Sequence, residues 1–156
     1  METRINPFGT EFGPKFVKYL IAANTAVAGS ALPPATRELV KIRASQINGC
    51  GGCLDMHTKE AAAAGETAVR LALVAAWRET TVFTDAERAA LELTEQGTRL
   101  ADGTGVSDEV WRNAAKHFDE EQLMALVSLI ALINTFNRLG VILKQPGGDY
   151  QVGQHA

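Results

Sequence analysis

The chain has 156 residues, 46% of them hydrophobic and 21% charged, the balance of one soluble globular domain long enough to bury a core. Its formal net charge is −3 and its isoelectric point about 5.6, which excludes a basic nucleic-acid surface and a face for anionic lipid. Residues Met1 to Pro7 hold no basic stretch followed by an apolar run, so no signal peptide is expected. A cytoplasmic protein is the default expectation, and there a close cysteine pair is more often catalytic or metal-binding than a permanent structural disulfide.

The chain reads as helices throughout, without strand alternation. A first helix is expected over Lys15–Val27, ending in Ala28-Gly29-Ser30. Pro33-Pro34 opens a second, Ala35 to about Gln46, with Pro34 pre-set for a first turn and Leu39, Ile42 and Ile47 turned inward. Asn48-Gly49 stops it. A third helix starts near Cys50 and runs through Ala61–Ala64 to a C-cap at Gly65. A fourth spans about Glu66–Glu79, with Val69, Leu71, Leu73, Val74 and Trp77 as its apolar set.

Thr84-Asp85-Ala86-Glu87 is a capping box opening a helix to about Asp102, with Ala90, Leu91, Leu93 and Leu100 at helical spacing. Ser107 caps a helix through Phe118, and Asp119 caps the last and longest. Its segment Leu123–Leu143 is apolar enough to raise a membrane span. Asn134, Thr135, Asn137 and Arg138 interrupt it, so it reads instead as a helix buried in the core or between subunits. After Pro146-Gly147-Gly148 a polar tail, residues 146–156, is expected to fray. The whole is one all-α helical bundle, residues 1–156, with its core over about 36–143.

The chemistry is concentrated in Cys50-Gly51-Gly52-Cys53-Leu54-Asp55-Met56-His57, which holds both cysteines of the chain. Positions i, i+3 and i+7 share one helix face, so Cys50, Cys53 and His57 form a stripe, with Cys53 and His57 one turn apart. Only a thiolate attacks a peroxide or a disulfide, and a free thiol titrates near pH ~8.5. The free amides of a helix N-terminus and the imidazole of His57 both favour the thiolate. Glu38, twelve residues before Cys50, could hold the imidazole in one tautomer or pass protons through it. Gly51-Gly52 leaves no bulk over sulfurs that must close and reopen.

Glu38 followed by Cys50-x-x-Cys53-x-x-x-His57 closely resembles the core of the alkylhydroperoxidase D-like proteins of the carboxymuconolactone decarboxylase superfamily. The flanks resemble it too: Arg37 to Ser45, Asp55 to Ala61, Ala75 to Thr80 and Ile133 to Leu139. The resemblance implies an all-helical fold with the cysteine pair at a helix start, and peroxide reduction by a dithiol. It implies Cys53 as the attacking sulfur, Cys50 as the resolving one, and Glu38 with His57 as a proton relay. It implies no bound cofactor, a lipoyl-type or thioredoxin-like protein as reductant, and a homo-trimer or homo-hexamer. The best-known members carry a histidine directly before the second cysteine, where this chain has Gly52. The decarboxylase branch lacks the cysteine pair.

Other readings of the same residues are open. Cys50, Cys53, His57 and Glu38 are also a zinc donor set, and the protein is then a redox- or metal-responsive binding module without turnover. Two buried thiols that merely pack are a third reading. Glu38 read alone is a surface carboxylate or a partner of Lys41 or Arg37. His117 and His155 read as solvated or structural, Trp77 and Trp111 as core or interface aromatics. Asn134 and Asn137, on an apolar helix, must find partners if buried, and are expected to brace a loop or a subunit contact.

Overall fold

Each helix begins where the sequence supplies an acceptor for its free amides or a residue that lacks one. The computed structural model describes residues 2–154. Helix α1, Phe12–Ala28, follows a short 3-10 turn, Pro7–Gly9. Helix α2, Pro34–Asn48, starts on Pro34 and stops at Gly49, whose φ of 67° few other residues adopt. Helix α3, Gly51–Ala63, is capped by Cys50, and α4, Ala68–Leu73, by Thr67. Thr84 with Glu87 and Asp119 with Gln122 form complete capping boxes for α5, Asp85–Thr98, and α7, Glu120–Ile142. Ser107 caps α6, Asp108–Ala114. Such a cap stabilises its helix by about 1 kcal/mol. Among the described residues all regular structure is helical.

Helices α2 and α7 pack against each other at the centre, with α3, α5 and α1 around them. One core cluster joins Leu32, Val40, Leu93, Phe118, Leu126 and Leu129. A second joins Leu39, Ile42, Ala61, Val74, Trp77 and Leu91. Helix α2 serves both, Val40 facing the first and Leu39 and Ile42 the second. Truncating Leu126 or Leu129 to alanine would cost about 2–5 kcal/mol. By length and composition α7 could cross a membrane. In this fold it is packed along much of its length, and Leu123, Leu126, Leu129, Ile130 and Ile133 are buried.

Several sequence expectations need correction. The first helix begins at Phe12 rather than Lys15. The helix expected over 66–79 breaks: α4 passes into a 3-10 stretch, Val74–Glu79, with Ala76 at φ −118° and ψ 28°. The guanidinium of Arg88 takes up carbonyls at the break, bonding Trp77 and Thr80 at 2.9 and 3.1 Å and Arg78 at 3.2 Å. The break turns Val74 and Trp77 inward and leaves Val69 exposed. Helix α5 ends at Thr98, so Leu100 lies in the following loop and is exposed. Helix α6 ends at Ala114, and a turn carries Phe118 into the core. Ile47 is half-buried, and Trp111 lies exposed on α6. His117 is exposed, and His155 lies outside the described residues.

The largest correction is the tail. Residues 145–154 dock on α3 through main-chain hydrogen bonds to Asp55, Lys59 and Glu60. Three charged residues of α3, Asp55, Lys59 and Glu60, anchor this segment.

Candidate active site

The turn between α2 and α3 is fixed by one carbonyl. Ser45 O accepts the N–H of Gly49, which caps α2, and the N–H of Cys50 at 3.0 Å. Cys50 therefore arrives extended, as the N-cap of α3 and not inside its first turn, and its sulfur accepts the N–H of Cys53 at 3.4 Å. A sulfur receiving a helix-terminal amide is stabilised as thiolate. Cys50 and Cys53 are joined as a disulfide, with Cα atoms 5.3 Å apart. Cys50 is 1% exposed and Cys53 8%, so Cys53 is the more open sulfur.

The buried wall behind the sulfurs is α7 at Gly140. A Cβ there would stand 2.8 Å from Cys50 Sγ and 3.8 Å from Cys53 Sγ. Glycine in a helix interior costs about 1 kcal/mol relative to alanine; this one makes room for the bridge. Gly52 faces the docked tail. A Cβ on it would meet the carbonyl oxygens of Pro146 and Gln145 at 3.4 and 3.6 Å. A side chain at position 52 would therefore start in contact with the main chain of the tail.

Glu38 projects from α2 toward α3. Its Oε2 lies 3.1 Å from His57 Nδ1, and its Oε1 accepts from Lys41 Nζ at 2.8 Å. Burial raises the Glu38 pKa, but the hydrogen bond from His57 and the charge of Lys41 outweigh it and hold the carboxyl at about 2. Glu38 is thus ionised at neutral pH and only accepts hydrogen bonds, so Nδ1 of His57 is the donor and Nε2 is left for other chemistry. Arg37 takes no part: it bonds the carbonyls of Ala28 and Leu32 at 2.9 and 3.0 Å.

A polar ladder braces the same corner. Asn137 donates to Ser45 Oγ at 2.9 Å, and Asn48 donates to Asn137 and Asn134, each at 2.9 Å. Asn134 donates to Thr98 Oγ1 at 3.0 Å and to Ile130 O at 2.8 Å. The two asparagines therefore brace the end of α2 from within the subunit. Among the described residues no group of three or more His, Cys, Asp or Glu is gathered in a geometry that would hold a metal ion.

The structure brings Glu38 and His57 together across two helices and joins Cys50 to Cys53. Sequence reasoning missed Gly140, although a glycine inside so apolar a helix was a usable signal. It also missed Asp55, Lys59 and Glu60, whose i, i+4 charge pairing resembles any exposed helix face.

Comparison with known proteins identifies the family and the fold. The family model "Carboxymuconolactone decarboxylase family" matches residues 14–96. The uncharacterised protein YdfG of Bacillus subtilis is 40% identical over 133 residues, 85% of this chain and 90% of the relative. A crystal structure of a protein of unknown function from Agrobacterium tumefaciens, ascribed to antioxidant defence as AhpD, superposes with a TM-score of 0.88 at 33% identity, covering 96% of this chain and 100% of that one. An alkylhydroperoxidase AhpD core from Ralstonia eutropha, a peroxidase-related protein, shares the fold with a TM-score of 0.76 at 17% identity, covering 87% and 72%. The chain belongs to the carboxymuconolactone decarboxylase family, as an alkylhydroperoxidase D-like member with the paired cysteines in place.

Proposed function

We propose that the protein is a thiol-dependent peroxidase. The observation that carries this reading is the Cys50–Cys53 disulfide placed one helical turn from a histidine whose Nδ1 is held by an ionised glutamate. In the reduced enzyme the Cys53 thiolate attacks the terminal oxygen of a hydroperoxide. The O–O bond breaks, the departing alkoxide takes a proton through His57 and leaves as the alcohol, and Cys53 becomes a sulfenic acid. The Cys50 thiolate then attacks that sulfur and expels hydroxide, which leaves as water once protonated. The product is the bridge the structure contains.

Glu38 keeps the imidazole oriented, and His57 moves the proton. An external dithiol of the lipoyl or thioredoxin-like type, in the cytoplasm, returns the pair to thiols. The enzyme works as a homo-trimer or homo-hexamer without a bound cofactor.

The test is turnover. Purified protein supplied with dithiothreitol and an alkyl hydroperoxide should form alcohol and oxidised reductant in equal amounts, over many equivalents per subunit. A protein whose thiols oxidise once and then stop would instead be the non-turnover redox module.

A further inference from the structure

The segment after α7 returns across Gly51 and Gly52, between the two cysteines, and is tied down beyond them. Asp55 Oδ2 accepts the N–H of Gly148 at 2.6 Å and of Tyr150 at 3.0 Å. Lys59, paired with Asp55 Oδ1 at 2.6 Å, donates to the carbonyls of Gly148 and Tyr150 at 3.1 and 2.9 Å. Glu60 accepts the Tyr150 hydroxyl and the N–H of Gly153, the latter at 2.8 Å. All three anchors stand on α3, the helix that carries Cys53 and His57.

Between α7 and this anchor the backbone lies directly on the two residues that separate the cysteines. A Cβ on Gly51 would stand 3.7 Å from Gly147 N, and one on Gly147 would overlap the Gly51 carbonyl oxygen. Glycine at 147 allows this approach, whereas a Cβ on Gly51 would meet the segment in ordinary contact. The Gln145 side-chain oxygen comes within 3.8 Å of the point at Gly140 that faces both sulfurs. The α7 wall is a packed core helix, whereas the segment is held by polar bonds on a partly exposed face. Such elements open at lower free energy than a core.

We propose that residues 145–154 form a strap that shields the Cys50 side of the bridge and steers an incoming thiolate to Cys53. The proposal rests on the reading that the pair cycles between dithiol and disulfide. One thiolate of an external dithiol attacks Cys53 Sγ, a mixed disulfide forms, and the Cys50–Cys53 bond breaks. Cys50 leaves as a thiolate that accepts the Cys53 N–H. The second thiol of the reductant then attacks its own sulfur in the mixed disulfide. Cys53 leaves and is protonated, and the reductant departs as a disulfide carrying away no electrons of the two it brought.

The test uses full-length protein and no peroxide, so its outcome is independent of peroxidase turnover. Fully reduced protein is treated with limiting iodoacetamide, and each cysteine's alkylation rate is read by mass spectrometry. Trypsin cleavage after Lys144 reports release of the strap. In the unmodified protein Cys53 should react at least about tenfold faster than Cys50, since reactivity follows access and thiolate character. Gly147→Val drives bulk against Gly51, and Asp55→Ala with Glu60→Ala removes the anchors. Both should open the Lys144 site and raise the Cys50 rate by about tenfold, as expected when a local closed state is lost. Asp55→Asn keeps an acceptor and should return most of the protection. Equal reactivity in the unmodified protein, or an unchanged Cys53 to Cys50 ratio once trypsin shows the strap released, overturns the proposal. A protein that shows the alkylation pattern but no peroxide turnover would refute the peroxidase and leave the strap standing.

Discussion

His57 Nδ1 and Glu38 Oε2 face each other at 3.1 Å across the gap between α3 and α2. Residues nineteen apart in sequence are thereby joined by one hydrogen bond, and in the proposed mechanism they handle the proton together. Glu38→Gln and His57→Gln each keep approximate size and polarity. Each should lower peroxidase turnover by roughly 10²–10⁴-fold, the usual contribution of one acid–base group. Steady-state kinetics beside a thermal melt check this, and full activity in either variant would remove the pair from the mechanism.

The same carboxylate makes stability depend on acid. Glu38 is held at about 2 against an ordinary value of 4.5. A depressed carboxyl stabilises the fold above its unfolded pKa, and that stabilisation disappears as pH falls through the folded value. The contribution is at most about 3 kcal/mol. Denaturant melts of the native chain and Glu38→Gln should therefore differ at pH 7 and converge between pH 4.5 and 2. A gap that stays constant down to the acid end would mean that the ion pairing contributes nothing.

Gly140→Ala tests the wall behind the bridge. The added methyl would lie 2.8 Å from Cys50 Sγ, and a disulfide cannot rotate away. Overpacking of this kind costs about 1–3 kcal/mol. The loss should be larger in the oxidised protein, because a reduced Cys50 can change rotamer. Chemical denaturation of both redox forms reads the difference; equal losses would show that the sulfur is not what the methyl meets.

Asn137 is fully buried and serves both Ser45 and Asn48. Asn137→Ala should cost about 1–3 kcal/mol by leaving those partners unsatisfied. Because Ser45 also holds the Cys50 amide, hydrogen exchange at Cys50 should accelerate in the variant. Unchanged exchange there would separate the ladder from the site.

Assembly is the fifth prediction. An apolar groove of about 590 Å³ runs between α1 and α7, with Ala26, Met124, Ala131 and Leu132 among its lining. Met124 in its lining is 62% exposed, and Tyr19, one turn before the groove on α1, is 72% exposed; contiguous exposed apolar surface of this kind marks an interaction site. We propose that a second copy covers it. Light scattering should give a multiple of 16.7 kDa, and Ala131→Glu should shift it toward the single-subunit mass. A native protein already at that mass would refute the assembly.

The sequence showed most clearly what is decided locally. Thr84 with Glu87 read as a capping box and Asp119 as a helix cap, because such donors and acceptors lie within three residues of one another. Cys53 and His57 read as one face because helix geometry alone places them there. Glu38 was reached through family register, since nothing local distinguishes a buried carboxylate from a surface one. The break at Ala76 escaped because it depends on Arg88, from another helix. The docked tail escaped because Asp55, Lys59 and Glu60 show the same composition whether they face water or a returning backbone.

The bridge spans only three positions of chain. A cross-link stabilises mainly by shrinking the unfolded ensemble, by about 3 kcal/mol for a 15-residue loop and less for shorter ones. On the same scale a ring this small is worth about 2 kcal/mol. Opening it shifts the folding equilibrium less than opening a long-range bridge would. In the proposed cycle the sulfurs are joined and parted with a smaller disturbance of the surrounding helices than a long-range disulfide would impose.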